Sequence, residues 1–224
     1  MYKYFLKRLI DIVFSLIAII VLSPILIPVS ILLLLTGEHE ILYLQKRIGY
    51  KKKPFYIWKF ATMLKNSPNM GTGSLTLRND PRVTPVGRVL RKTKINELPQ
   101  LFNILKGDMS LVGPRPLMEF DFIKYPKEIQ EKVYNVKPGL TGVASIVFRD
   151  KEKYFSGTTM DPHEFDRKYI APYKGRLEEW YQRNLSFITD MKIIYYTILV
   201  VFDFKGNYNF NALKKLPDKP DFID

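Results

Sequence analysis

The chain has 224 residues, of which 46% are hydrophobic, 14% aromatic and 25% charged; that is the size of one domain with a real core, and wholesale disorder is excluded. It has no cysteine and only two histidines, His39 and His163, which rules out a disulfide scaffold, a thiolate nucleophile, a Cys-based zinc site and a multi-histidine metal cage. Thirty-five Lys and Arg against 22 Asp and Glu leave a net charge of +13, an excess that points to nucleic acid, acidic lipid or a phosphorylated substrate.

From Ile12 to Leu35 no residue is charged. As a straight helix this run is about 36 Å long, enough for a bilayer core of roughly 30 Å. Its length, with no small-residue cleavage site after it, is unlike a cleaved signal peptide. Ser23-Pro24 falls mid-run and Pro28 one turn later, so a kink is expected, with Ser23 able to bond freed backbone. Lys3, Lys7 and Arg8 precede the run; Lys46, Arg47, Lys51, Lys52 and Lys53 follow it. Basic residues on both sides suit a hairpin that enters and leaves one leaflet. A kinked single span is the other reading, and both stay open on pattern alone. Asp11 is expected to be an interfacial or capping group.

Beyond Leu35 the composition is that of a basic soluble domain. Ile41 to Leu44 and Phe55 to Phe60 read as strands of a hairpin. The polar, glycine-containing stretch Asn66 to Asp80 reads as a mobile loop. Glu97 to Lys106 reads as a helix with Asn96 as N-cap, Pro99 in its first turn and Gly107 as its stop. Phe120 to Val136 has mixed helical spacing. Arg176 to Asn184 and Ser186 to Phe204 also read as helices, the last surface-lying or buried because Asp190 and Lys192 interrupt it. Residues 206–224 form a loosely held tail. Trp180, Tyr181, Tyr195 and Tyr196 suit either an interfacial belt or core packing.

Three segments carry polar groups that composition does not explain: Lys59 to Met63, Arg88 to Gln100 and Gly107 to Pro116. In Gly113-Pro114-Arg115-Pro116 two prolines fix φ and glycine permits a tight bend, so the Arg115 guanidinium is aimed before a ligand arrives. It suits bidentate contact with phosphate oxygens, or equally a structural pair with a nearby carboxylate.

LPQLFNILKGDMSLVGPRP resembles the signature of the bacterial sugar transferases, the monotopic phosphoglycosyl transferases. The resemblance extends to Ser23-Pro24, Lys59 to Met63, Asp80 to Arg88, Lys137 to Gly142 and SFITDMKI, in order along nearly the whole chain. It implies an α/β, mostly helical fold with a small β-hairpin, a re-entrant membrane helix (1–36) broken at Ser23-Pro24, interfacial amphipathic helices, a catalytic domain (37–205) on the cytoplasmic face of a bacterial inner membrane, and the tail. It implies transfer of a sugar-1-phosphate from a nucleotide-diphosphate sugar, usually UDP-linked, to polyprenyl phosphate, with Mg2+. On that basis Asn96, Glu97, Arg91 and Lys59 are the candidate catalytic residues. Arg115, Arg88, Thr62 and Gly113 are candidates for phosphate binding, and Glu97 is the metal ligand. The expected partners are the donor, the lipid acceptor and membrane lipids; a homodimer is left open.

The family usually has Asp-Glu where this chain has Asn96-Glu97, and in the family the Asp attacks the diphosphate to form a covalent phosphosugar. An amide is a far weaker nucleophile. Glu97 as nucleophile, direct attack by the lipid phosphate, and a weak or inactive chain all stay open. Residues 141–150 also differ from the usual family version. A non-catalytic membrane-surface protein that keeps the ligand pocket is the competing reading. Nucleic-acid binding is discounted, because the basic residues lie near the anchor and form no recognisable motif. Asp108 and Asp190 are weaker candidates for site support, and His163 reads as structural.

Overall fold

The structure, a computed structural model, describes residues 2–70, 80–149, 154, 159–202, 210–213 and 215–220. It is mostly helical, with two small two-stranded sheets.

Helix α1, Lys7–Leu35, follows a wider π-type turn at Tyr2–Leu6. The break expected at Ser23-Pro24 does not interrupt it; Pro24 and Pro28 both lie inside the helix. Pro24 cannot donate to the Ile20 carbonyl, but the Ser23 hydroxyl does so at 2.8 Å, so that acceptor is not left bare. Among the described residues α1 is the one helix long and apolar enough to cross a membrane.

One stripe of α1 faces the rest of the protein. Lys7, Asp11, Ser15, Leu26 and Leu33 are buried, and Ala18, Leu22 and Val29 pack against core clusters. These positions recur every three or four residues, which places them on one helix face. Ile20, Val21 and Ile27, off that stripe, are each more than 60% exposed.

Polar bonds fix the amino-terminal half of the stripe. Arg8 donates to the carbonyls of Ile104 (2.5 Å) and Leu105 (2.7 Å), near the end of α3 (Gln100–Lys106). Asp11 accepts from the Ser110 hydroxyl and the Leu111 N–H; it is a buried anchor and not an interfacial group. Lys7 pairs with Asp190 at 2.6 Å, and the hydroxyls of Tyr2 and Tyr181 also reach the Asp190 carboxylate. Asp190→Asn leaves the Lys7 ammonium buried without its counter-ion, a loss of about 3–5 kcal/mol. A thermal midpoint in detergent equal to that of the unsubstituted chain would show that the pair carries no stability.

Strands β1 (Leu42–Ile48) and β2 (Pro54–Phe60) form the expected hairpin, with Tyr43 opposite Lys59. β1 runs further than the apolar stretch suggested, because Gln45, Lys46 and Arg47 continue it. Helix α2 (Pro85–Lys92) is capped by Thr84, whose hydroxyl accepts the Gly87 N–H. The glycine is required there, since a Cβ would stand 2.1 Å from the Thr62 carbonyl oxygen. Of the expected loop, residues 71–79 lie outside the described residues. The flanking Arg82 pairs with Asp80 and donates to the Ser67 and Met70 carbonyls.

Strand β3 (Ser110–Val112) pairs in parallel with β4 (Gly139–Thr141). The segment from Phe120 to Val136 is two short helices, α4 (Glu119–Phe122) and α5 (Lys127–Lys132), separated around Pro126. Then follow α6 (Val143–Val147), α7 (Pro162–Phe165), α8 (Ala171–Arg183) and α9 (Phe187–Phe202). Val143, Tyr173, Leu177, Tyr181 and Ile193 form the centre of the largest core cluster. Tyr181 and Tyr196 are therefore core residues and not an aromatic belt, whereas Tyr195 is exposed. In the tail Leu213 is buried and the Pro217 carbonyl accepts from the Tyr173 hydroxyl.

Candidate active site

The chain approaches the site through a turn that the sequence misassigns. Lys94 adopts a left-handed conformation (φ 61°) and opens a 3-10 turn over Ile95–Glu97. Helix α3 starts only at Gln100, with Pro99 at its N-cap position. Asn96 is consequently not the N-cap: it is buried inside the turn, and its Oδ1 has no hydrogen-bond partner. The N–H groups of Glu97 and Leu98 bond the carbonyls of Lys94 and Ile95, so they are not free for a phosphate. Pro99 has no N–H, which removes part of the need for a cap. Gly107 does end the helix, at φ 97°.

Asn103 fastens α3 to the hairpin. Its Oδ1 accepts from the Trp58 N–H at 2.9 Å and its Nδ2 donates to the Tyr56 carbonyl at 2.8 Å. This side-chain amide completes the free edge of β2 as a neighbouring strand would. The contact sets Lys59, the next residue of β2, beside Glu97.

Glu97 is the centre of the cluster. Its Oε1 accepts from an Arg115 Nη at 2.8 Å and from the Lys59 ammonium at 3.4 Å. Burial alone would raise the Glu97 carboxyl, but Arg115, Lys59 and Lys94 outweigh it and hold the group well below its usual range. Glu97 is thus ionised at neutral pH. Burial pushes Lys59 down to about 7; Glu97 opposes this, while Arg115, Arg47 and Arg91 add to it. Arg91 reaches the Thr62 hydroxyl at 3.4 Å.

The structure therefore brings together Glu97, Lys59, Arg115, Arg91 and Thr62. Arg88 lies exposed on α2, outside these contacts. Gly113 does not offer its N–H to a ligand, because that group bonds the Thr141 carbonyl at 2.9 Å. Its role is close packing: a Cβ there would sit 2.4 Å from the Lys137 carbonyl oxygen. Asp108 pairs with Lys106 at the far end of α3, and Asp190 belongs to the α1 anchor. His163 stacks edge-on against Phe120.

Three further residues shape the site. Arg47 donates to the Pro116 carbonyl, and burial, with Arg115 nearby, pushes it down to about 10. Tyr134 donates its hydroxyl to the Arg115 carbonyl and accepts the Leu117 N–H, both at 2.9 Å. Glu178 of α8 is 1% exposed and faces the Arg115 N–H at 3.4 Å, while its Oε2 has no partner. Arg115 is therefore held through its backbone from two sides, as Gly-Pro-Arg-Pro stiffness suggested. No composition or spacing signal marks Tyr134 or Glu178; Arg47 lay in a basic run ascribed to membrane flanking.

Chemically, the cluster can offset the charge of phosphate anions. Two unit negative charges about 4 Å apart repel by about 4 kcal/mol at an effective dielectric of 20. Guanidinium and ammonium groups fixed beforehand offset that repulsion without reorganising. Among the described residues no group of three or more His, Asp or Glu could hold a metal by itself. Magnesium often takes one or two carboxylates and completes its shell with substrate oxygens and water, and Glu97 fits that more limited role. A separate cavity of about 270 Å3 lies between α1 and α2, lined by Leu33, Glu38, Glu40, Met63, Thr84 and Val86 among others.

The model of a family described as bacterial sugar transferase matches residues 2–204. The chain is 35% identical over 199 residues to the UDP-N-acetylgalactosamine-undecaprenyl-phosphate N-acetylgalactosaminephosphotransferase of Aeromonas hydrophila, covering 88% of this chain and 44% of that protein. It is 35% identical over 205 residues to the UDP-glucose:undecaprenyl-phosphate glucose-1-phosphate transferase of Escherichia coli K12, covering 91% and 41%. It is 33% identical over 216 residues to the exopolysaccharide production protein ExoY of Sinorhizobium fredii, covering 90% and 88%. The chain thus spans less than half the length of the first two and most of the third. A family match over residues 2–204, with the ordered motifs and the cation cluster they build, shows that this chain belongs to the bacterial sugar transferase family.

Proposed function

We propose that this chain transfers a sugar-1-phosphate from a UDP-sugar to polyprenyl phosphate at the cytoplasmic face of the membrane, the step that starts assembly of a glycoconjugate or exopolysaccharide. The observation that carries this reading is the convergence of Glu97, Lys59, Arg91 and Arg115 at the foot of α3. Family relatives named for undecaprenyl-phosphate sugar phosphotransfer support it. Arg115, held by Tyr134 and Glu178, orients the diphosphate; Lys59 and Arg91 take up the charge that builds on the leaving nucleoside monophosphate. Glu97 is the residue that would hold magnesium, whose charge would lower the repulsion between donor and acceptor.

We read α1 as lying in one leaflet. Contacts from Tyr2 to Leu33 all reach the same folded body, and Gly37, just past the helix, lines one cavity with Thr84. A helix crossing the bilayer would carry one end away from that body. The chain has no cysteine, so single cysteines at Tyr2 and Thr36 report topology cleanly. Both are expected to react with an impermeant maleimide from the cytoplasmic side of inverted vesicles. Labelling from opposite sides would remove the one-leaflet reading.

Asn96 favours a second reading, a binding protein without turnover. Purified full chain in nanodiscs with undecaprenyl phosphate, magnesium and a panel of UDP-sugars separates the two. Repeated release of UMP with formation of the lipid-linked sugar supports the transferase; saturable binding with no product supports the second reading.

A further inference from the structure

The charge balance of the site bears on how the sugar phosphate moves. Glu97 is the carboxylate among Lys59, Lys94, Arg47, Arg91 and Arg115. Its Oε1 is shared by Arg115 and Lys59, both in ion-pair contact. Oε1, engaged in this way, could attack phosphorus only by breaking both contacts, and Oε2 is the oxygen that the magnesium role given to Glu97 above would use. The neighbouring side chain is the neutral amide of Asn96, 6% exposed. Among the described residues no hydroxyl with an adjacent base completes the cluster: the Thr62 hydroxyl is buried and meets the Arg91 guanidinium, which cannot accept a proton.

The lipid acceptor needs no protein nucleophile. A phosphate monoester has its second pKa near 6, so at neutral pH it is already an anionic oxygen nucleophile with no proton to remove. What it needs is a site that tolerates it next to a diphosphate. Arg47, Arg91 and Arg115 keep their charge at neutral pH and outnumber Glu97 and Asp121, the carboxylate beside Arg47, which leaves positive charge for the ligands.

We propose that in this chain the sugar phosphate passes in one displacement, with donor and acceptor bound together, and that no phosphosugar adduct forms on the protein. An acceptor phosphate oxygen forms a bond to the donor phosphorus that carries the sugar. The bond from that phosphorus to the bridging oxygen breaks, and its electron pair leaves with the nucleoside monophosphate. No proton transfer or redox partner is required. The proposal rests on the transferase reading above.

The test uses full chain in nanodiscs with magnesium. Initial rates are measured over a grid of donor and undecaprenyl phosphate concentrations. Exchange of labelled UMP into UDP-sugar is followed separately with the acceptor left out, and intact protein mass is read after mixing with donor alone. Expected are intersecting double-reciprocal lines, exchange below about one-hundredth of the turnover rate, and an unchanged mass. Parallel lines, exchange at a rate comparable to turnover, or a protein heavier by one sugar phosphate overturns the single displacement while leaving the transferase reading intact. Absence of turnover with every donor overturns both, and is distinguished by the lack of product in the full mixture.

Discussion

Glu97→Gln is expected to reduce UMP release by about a thousandfold or more while leaving the protein folded. The loss has two parts. The amide cannot supply an anionic oxygen for magnesium. It also removes the one neighbour that raises Lys59, whose ammonium is already pushed down to about 7. Without Glu97 the Lys59 side chain becomes neutral at pH 7, so the site loses a cation together with the carboxylate. That neutralisation is also why the fold survives: the buried amine sheds its charge instead of staying unpaired. Arg115 keeps its place through Tyr134 and Pro116, which bond its backbone and its neighbour Arg47 and do not involve Glu97. The readouts are UMP release with the best donor, and the thermal midpoint. Activity within about threefold of the unsubstituted chain would reassign Glu97 to a structural role.

How much of this was legible in the sequence depends on the range of the forces involved. The long apolar run, the hairpin, the stop at Gly107 and the aimed Arg115 follow from local pattern, whereas Lys59 and Arg91 follow from the family resemblance. The N-cap role for Asn96 fails because the left-handed Lys94 and Pro99 together delay α3, and a spacing argument cannot see a residue's φ. At Ser23-Pro24 the helix runs on uninterrupted, and the Ser23 hydroxyl bonds the Ile20 carbonyl that Pro24 has no N–H to reach. The resemblance makes Gly113 a candidate for phosphate binding, yet its N–H is consumed by the Thr141 carbonyl, 28 residues away along the chain, in a parallel pairing too short to leave a periodic signature. Arg47, Tyr134 and Glu178 come to Arg115 from three different elements. Convergence of that kind is a tertiary fact with no trace in composition.

Glu178 gives a prediction with an unusual sign. Burial pushes its carboxyl up to about 8, against the lowering influence of the Arg115 N–H, Lys174 and the Arg115 guanidinium. In the unfolded chain the same group titrates near 4.3. Between those values the folded protein holds a proton that the unfolded chain has released, so stability falls as pH rises through that window. The contribution is complete below about pH 4 and lost by about pH 8, with a ceiling of about 5 kcal/mol at 1.36 kcal/mol for each pKa unit. Glu178→Gln keeps a neutral side chain of the same shape and an oxygen for the Arg115 N–H. It is expected to match the unsubstituted chain in thermal midpoint at pH 5 and to exceed it by several degrees at pH 8.5. Because the turn that aims Arg115 rests on this group, product formation in the variant should also decline less between pH 7 and 9. Parallel midpoint curves across the whole range would mean that Glu178 is ionised in the folded protein, and a cation not in contact with it here would then have to compensate the buried charge.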